Sequence, residues 1–468
     1  MIRFRFSLLL VLSVAAIAAD QHVKPDVDGT TPLHWAVYQD DVQTVGSLLR
    51  AGADVKAANR YGVTPLSLAC TNGNGAIVRL LLNAGANPND VLSGGETALM
   101  TAARTGKVDA VNALLEYKAE VNAKETKYKQ TALMWAAAAG NVQVVEALLK
   151  AGADLHASSS AAFTPLLFAV REGQIGTTKA LLKAGADVNE TVKSQAKKAG
   201  GVTGPPAAGT SALLLATSNA HFELASILLD AGADPNAAAP GWTPLHAITW
   251  MRKPGLGDND PAPQGSGNMT SLELIEKLVK KGANINFKMT KKVNVGLTAL
   301  NTLGATPFFL AARTADAEMM RFLAKLGADP LLPNDENTTP LIAAAGLGTR
   351  SPGEDAGSES EVVEAMQAAL DLGADINAAN KNGETAMHGA AYKNLPGAVE
   401  FLHSKGARIE IWNVKNKFGW TPLIIAEGYR FGNFKPSPDT IAVFRRIMTA
   451  AGVSIQFALP KSAEWPVP

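Results

Sequence analysis

The sequence predicts an all-α solenoid of about eleven helix-turn-helix repeats, with short hairpin fingers and loop insertions concentrated in the C-terminal half. Three observations carry this. The hexapeptide Thr31-Pro-Leu-His-Trp-Ala36 returns as Thr64-Pro-Leu, Thr97-Ala-Leu, Thr131-Ala-Leu and Thr164-Pro-Leu at intervals of 33, 33, 34 and 33 residues. It returns again, less evenly, at Ser211, Thr243, Thr306, Thr339, Thr385 and Thr421. Between these markers each unit shows two short runs of helical periodicity. A fixed period of this length is the signature of stacked repeats sharing one continuous core.

The fourth unit shows why each half is helical. Thr131-Ala-Leu-Met-Trp-Ala-Ala-Ala-Ala139 is rich in strong helix formers, and Gly140-Asn141 supplies a turn. Val142 to Lys150 follows with Val144, Val145, Leu148 and Leu149 on one side, and Gly152 ends it. A threonine just ahead of the helix caps free amides, and proline tolerates the first turn.

Thr-Pro-Leu-His-x-Ala, the glycine turn, the Leu-Leu pair and Gly-Ala-Asp-x-Asn together resemble ankyrin repeats over roughly Asp28 to Gly452. The resemblance implies paired antiparallel helices, fingers projecting between them, and a concave face of first helices and fingers that binds another protein. Histidines 34, 246 and 388 occupy the motif position, where the expected role is bonding to the backbone of adjacent fingers. Trp35 and Trp135, four residues past the threonine, read as core.

The expected organisation is a signal peptide over 1–19, repeats 1 to 5 over 26–190, and an extended basic finger over 191–209. Repeats 6 to 11 then occupy 210–453, and 454–468 forms a tail carrying Trp465. Insertions fall at about 251–269, 287–303, 347–360 and 430–439. Lys193, Lys197 and Lys198 make one long finger basic, as Lys288, Lys291 and Lys292 make another. The insertions inside repeats 7, 9 and 11 fall in alternate units, which leaves each loop room to lie over its unexpanded neighbour. Glu354, Asp355, Glu359 and Glu361 read as a solvated acidic loop.

The first residues read as an export signal: Arg3 and Arg5, an apolar run from Phe6 to Ile17, then the small-x-small site Ala16-Ile17-Ala18, with cleavage after Ala18 or Ala19. The apolar run is shorter than a membrane span, so no anchor is expected after cleavage. In a bacterium this places the chain in the periplasm or outside the cell. Cys70 is the only cysteine, which excludes an intramolecular disulfide and reads as a small buried hydrophobe. A net charge of +1 gives no field pointing to nucleic acid.

No catalytic constellation emerges. There is no His-x-x-x-His pair, no nucleophile elbow and no phosphate loop, and Asp258-Asn-Asp260 lacks the glycine and closing glutamate of a calcium loop. No cofactor or metal is expected. The resemblance makes the variable positions beside the motif the recognition sites: Tyr38, Tyr61, Arg104, Tyr128, Phe163, Arg171, Trp242, Trp250, Arg313, Tyr392, Trp420 and Tyr429. Aromatics and arginine dominate interface hot spots, since they bury much area for little entropy.

The expected function is therefore a non-enzymatic, exported, monomeric scaffold binding another protein. One alternative is a small-molecule or metal pocket, with hydrolytic activity, closed by the insertions of repeats 7, 9 and 11 and lined by groups such as Asp258, Asp260 or Glu354. Another is an assembly factor or chaperone for an exported enzyme.

Overall fold

A computed structural model of the chain describes residues 24–92, 94–193, 206–253, 264–293, 298–430, 432 and 435–455. The expected signal peptide, the C-terminal tail beyond residue 455 with Trp465, and Lys197, Lys198, Asp258 and Asp260 lie outside the described residues. The chain divides into two compact units, Met1–Asp187 and Val188–Pro468. Among the described residues both are helical, with only isolated β-bridges such as Val91 to Thr97 and Thr191 to Ser211.

In the first unit the helices come in pairs: α1 (Pro32–Tyr38) and α2 (Val42–Arg50), α3 (Pro65–Asn72) and α4 (Gly75–Asn83), α5 (Ala98–Thr105) and α6 (Val108–Glu116). Then come α7 (Ala132–Ala139) with α8 (Val142–Lys150), and α9 (Pro165–Arg171) with α10 (Ile175–Lys183). The first helices of successive pairs pack on one another in order, and so do the second helices, giving two parallel layers. These helices are too short to persist alone, so packing must hold them. Val45, Ile77, Val78, Leu81, Val111, Leu114, Val144, Val145 and Leu148 fill the seam without exposure.

The motif threonine does what its position demands. Thr31, Thr64, Thr97, Thr131 and Thr164 each accept from the amide three residues on, closing the helix start. His34 extends the cap across repeats: its Nδ1 accepts from the Thr31 amide and its Nε2 donates to Val63 O at 2.9 Å. That hydrogen-bonding pattern assigns the proton to Nε2.

Neighbouring repeats are clasped a second time by asparagine. Asn122 donates to Gly152 O and accepts from the Asp154 amide, bridging two fingers through both ends of one side chain. In the second unit Asn189 makes the same pair of bonds to Gly232 and Asp234, and Asn236 to Gly282 and Asn284.

The second unit pairs α11 (Ala212–Ser218) with α12 (Phe222–Asp230), α13 (Pro244–Arg252) with α14 (Ser271–Lys280), and α15 (Pro307–Arg313) with α16 (Ala317–Lys325). It continues with α17 (Pro340–Ala344) and α18 (Glu359–Asp371), then α19 (Ala386–Tyr392) and α20 (Pro396–Ser404). A short α21 (Ile409–Trp412) precedes α22 (Pro422–Ala426) and α23 (Pro438–Ala450). Here α17 and α22 are cut to five residues each, and the insertions begin where those helices stop.

The long fingers are tied at their bases. Val192 donates to Thr210 O and Gly209 donates back to Val192 O, a hairpin closure beneath the finger expected over 191–209. The finger expected over 287–303 folds back further: Ala299 donates to Gly348 O, joining it to the start of the repeat 9 loop.

Candidate functional site

The positions beside the motif separate into an exposed set and a covered set. In the first unit Tyr38, Tyr61 and Tyr128 are 63%, 60% and 50% exposed, and Arg104 and Arg171 are exposed as well. Tyr61 and Tyr128 sit at finger tips, where Arg60 donates to Asp28 O and Ser160 donates to Tyr128 O, so adjacent fingers stand side by side.

The exposed rings are held by neighbours, most of them by a cation. Arg60 lies 4.7 Å from the Tyr61 centroid, Lys127 4.7 Å from Tyr128, and Arg104 5.2 Å from Trp135. Arg171 lies 5.3 Å from Phe163 and 5.1 Å from Phe168. Tyr38 meets Trp35 edge-on at 5.9 Å, and the Trp35 indole donates to Asp26 at 2.7 Å. These stacks fix rings that would otherwise swing freely, which lowers the entropy lost when a partner lands on them.

Two corrections follow in this unit. Trp35 and Trp135, expected in the core, are half-exposed on this face, because the fourth residue of these short helices turns toward the fingers and away from the seam. Phe163, expected as an exposed anchor, is buried against Phe168, with ring centroids 5.4 Å apart. The guanidinium of Arg171 covers both rings.

In the second unit the same sequence positions are largely closed over. Trp250, Arg313, Tyr392 and Trp420 are buried, and Trp242 is half-buried against Trp250 with centroids 6.1 Å apart. The expectation of exposed anchors is corrected at Trp250, Arg313, Tyr392 and Trp420. Trp420 packs its ring on Phe418, 5.1 Å away, inside its own finger. The other reason is the insertions, which lie across these helix ends.

The repeat 9 loop brings Asp355 to Arg313 at 2.7 Å, and Thr349 donates to the other Asp355 oxygen at 3.0 Å. Lys393, buried at the end of α19, donates to Ala356 O in the same loop. One loop therefore covers repeats 8 and 10 together. Burial pulls the Lys393 ammonium down to about 8, with Asp355 pulling the other way. The repeat 7 insertion is anchored at both described ends. Arg252 binds Asp316 at 2.6 Å and Lys253 binds Glu361 at 2.6 Å, while Ser266 donates to His221 Nδ1 at 3.0 Å. In repeat 11, Arg430 is buried and donates to Tyr392 O.

The acidic loop is thus not uniformly solvated. Asp355 is buried and paired, Glu361 is half-exposed and held down to about 2 chiefly by its bond to Lys253, and Glu359 accepts from the Gly397 amide at 2.5 Å. Only Glu354 stands out in water. Sequence reading missed Lys393, Arg430 and Glu384, a carboxylate whose pKa burial raises and which accepts from Tyr392 and Asn416. The signal that could have found them is the placement of the insertions, which marks the helix ends that lose their solvent.

The described surface also holds two open cavities. One of about 600 Å³ is lined by Glu427, Tyr429, Pro436, Pro438, Ile441, Ala442 and Arg445. One of about 470 Å³ lies beside the repeat 7 insertion among Phe222, Met251, Arg252, Ser266, Met269 and Ser271, with no carboxylate in its lining. Among the described residues no cluster of His, Cys, Asp or Glu is placed to hold a metal. None of the described helices is long and apolar enough to cross a membrane. Cys70 is fully buried, and burial pushes its thiol up to about 12.

Family models for ankyrin repeats match most of the chain. One described as "Ankyrin repeats (3 copies)" matches residues 7–92, 33–125, 84–159 and 125–192. "Ankyrin repeats (many copies)" matches 369–426, and "Ankyrin repeat" matches 208–239 and 303–335. The chain is 32% identical over 216 residues to Ankyrin repeat and SOCS box protein 16 of Homo sapiens, covering 46% of this chain and 40% of that protein. It is 31% identical over 230 residues to SH3 and multiple ankyrin repeat domains protein 2 of Homo sapiens, covering 44% of this chain and 11% of that one. The chain thus spans well under half the length of these curated relatives. The crystal structure of human ASB11 ankyrin repeat domain aligns with a TM-score of 0.42 at 23% identity, covering 54% of this chain and 98% of that one. Capped helix pairs, cross-repeat histidines and asparagine clasps recur through both units, and with the family-model matches the chain belongs to the ankyrin-repeat family, whose repeats typically mediate protein–protein interaction.

Proposed function

We propose that this chain is an exported, non-enzymatic interaction scaffold that binds a partner protein on the first-helix and finger face of residues 24–187. The observation that carries the reading is the row of exposed ring–cation stacks at Tyr61, Trp135 and Tyr128, with Tyr38 edge-on to Trp35. Large rigid rings held in place and open to solvent are the groups that contribute most when an interface forms. The corresponding positions of the second unit act in its own packing, so partner contact concentrates on the first unit. An exported enzyme in need of assembly is one partner that this reading admits.

The test is affinity capture by the full chain from its native extract, beside the Tyr38→Ala, Tyr61→Ala, Tyr128→Ala triple variant. Loss of the captured protein at an unchanged melting temperature is the expected result. Capture that survives the triple change sinks the assignment. Export is tested by fusing the chain to alkaline phosphatase, which is active only outside the reducing cytoplasm. Activity should vanish when residues 1–19 are deleted.

A further inference from the structure

The stacks on the first unit's face have an asymmetry of charge. Arg60, Arg104 and Lys127 are exposed, each lies over an aromatic ring, and none has a carboxylate within ion-pair distance among the described residues. The fourth cation, Arg171, differs: Glu172 binds it at 2.7 Å. The Arg104 guanidinium keeps the N–H edge of its plane open, Arg60 gives one Nη2 donor to the Tyr61 hydroxyl and keeps the rest, and such a fork matches a carboxylate.

The carboxylates of the same fingers are occupied inside the chain. Asp26 accepts the Trp35 indole, and Asp28 accepts the Thr30 amide at 3.0 Å. Glu125 is buried and takes the amides of Lys127, Tyr128 and Gln130 at 2.7, 2.7 and 2.9 Å, so its charge stabilises the finger that lifts Lys127 into solvent. In the finger between Tyr61 and Arg104, Glu96 is half-buried and Asp90 is exposed and accepts from Asn87 at 2.7 Å, so the three open cations outnumber these two carboxylates. Beneath Arg104 the buried Trp135 indole N–H has no acceptor.

We propose that the partner engages this face through an acidic segment, with glutamate or aspartate side chains interleaved with apolar or aromatic ones. The carboxylates meet Arg60, Arg104 and Lys127 while the apolar groups lie on Tyr38, Tyr61 and Tyr128. The inference rests on the reading of this face as a protein-binding surface and adds the partner's chemistry.

The test uses the full chain and fluorescein-labelled random copolymers, read by anisotropy: glutamate–tyrosine, glutamine–tyrosine and lysine–tyrosine. The glutamate–tyrosine polymer should bind, with affinity falling as salt rises, because exposed charge pairs are screened. The Arg60→Ala, Arg104→Ala, Lys127→Ala triple variant should bind it about tenfold more weakly, from three exposed pairs of modest strength each. If that variant melts lower, the Arg60→Gln, Arg104→Gln, Lys127→Gln triple, which keeps part of each stem over its ring, gives the same reading.

Equal binding of the glutamine polymer, or an unchanged triple variant, overturns the acidic partner and leaves the protein-binding face standing if Tyr61→Ala and Tyr128→Ala still weaken binding. Failure of all three polymers to bind overturns both. Tighter binding of a single-stranded oligoribonucleotide or a phosphatidylserine vesicle through the same three cations also overturns the proposal, since any polyanion would then serve.

Discussion

Arg313 and Asp355 form an ion pair of 2.7 Å in which each residue is 7% exposed, and this pair joins the end of α15 to the inserted loop of the ninth repeat. Two charges held this far from water are stable only together. In the equivalent place of the first unit, Arg104 is free in solvent over Trp135. One repeat position is therefore open to solvent in one unit and serves loop anchorage in the other.

Removing one partner leaves the other buried and uncompensated. Arg313→Met should lower stability by about 3–5 kcal/mol, while Arg313→Met with Asp355→Leu should recover most of the loss. Urea denaturation of the single and double variants measures this. A double variant no better than the single would mean that the loop needs the charges themselves.

The buried motif histidines set a pH dependence. Burial holds His246 and His388 down to about 4 from an ordinary 6.5. Between those values the unfolded chain binds protons that the folded chain refuses, so stability rises with pH across about 4 to 6.5 and falls as the solution is acidified through that window. The slope from two such groups is at most about 2.7 kcal/mol per pH unit. Melting curves against pH should flatten in this range when His246 or His388 is replaced by Gln.

Two helical glycines should respond to alanine with opposite signs. At Gly46 a new Cβ would meet only the far end of Arg50, at 3.5 Å, so Gly46→Ala gains helix propensity worth about 0.5–1 kcal/mol. At Gly75 the same atom would fall 2.7 Å from Asp109 Cβ and 2.9 Å from its carbonyl carbon. Because that obstacle includes backbone, α4 and α6 must separate, and the expected cost is about 1–3 kcal/mol. Thermal melts of both variants decide the matter.

Much of the scaffold was legible because its physics is local and repeated. Thr64-Pro-Leu encodes a capped helix start, and Gly140 a left-handed turn at φ 78°, whatever lies nearby. The exposure of Tyr38, Tyr61 and Tyr128 was legible for the same reason, since no inserted loop is laid over them and half or more of each stays open. Arg313, Tyr392 and Lys393 were not legible, because their burial depends on a loop from another repeat: Lys393 and Ala356 are 37 residues apart. Periodicity says which face a residue occupies and nothing about what is later laid over it. Trp35 and Trp135 show the converse. Their place four residues past the threonine suggested core, yet the helix period turns them to the fingers, where Asp26 and Arg104 hold them.

That division between open and covered positions makes the sharpest prediction. Tyr392 and Trp420 are 2% and 3% exposed, so alanine at either leaves a cavity and should cost about 3–5 kcal/mol. Tyr392→Ala should cost more than area alone implies, because it also leaves Glu384 short of the Tyr392 hydroxyl in a buried site. Tyr61→Ala and Tyr128→Ala remove exposed rings and should stay within about 0.5 kcal/mol of the parent. Partner capture should follow the reverse order, lost at Tyr61 and Tyr128 and kept at Tyr392 wherever the chain remains folded. Measuring melting temperature and capture on the same four variants separates the two roles. A stable Tyr392→Ala variant that loses the partner would instead place recognition on the second unit.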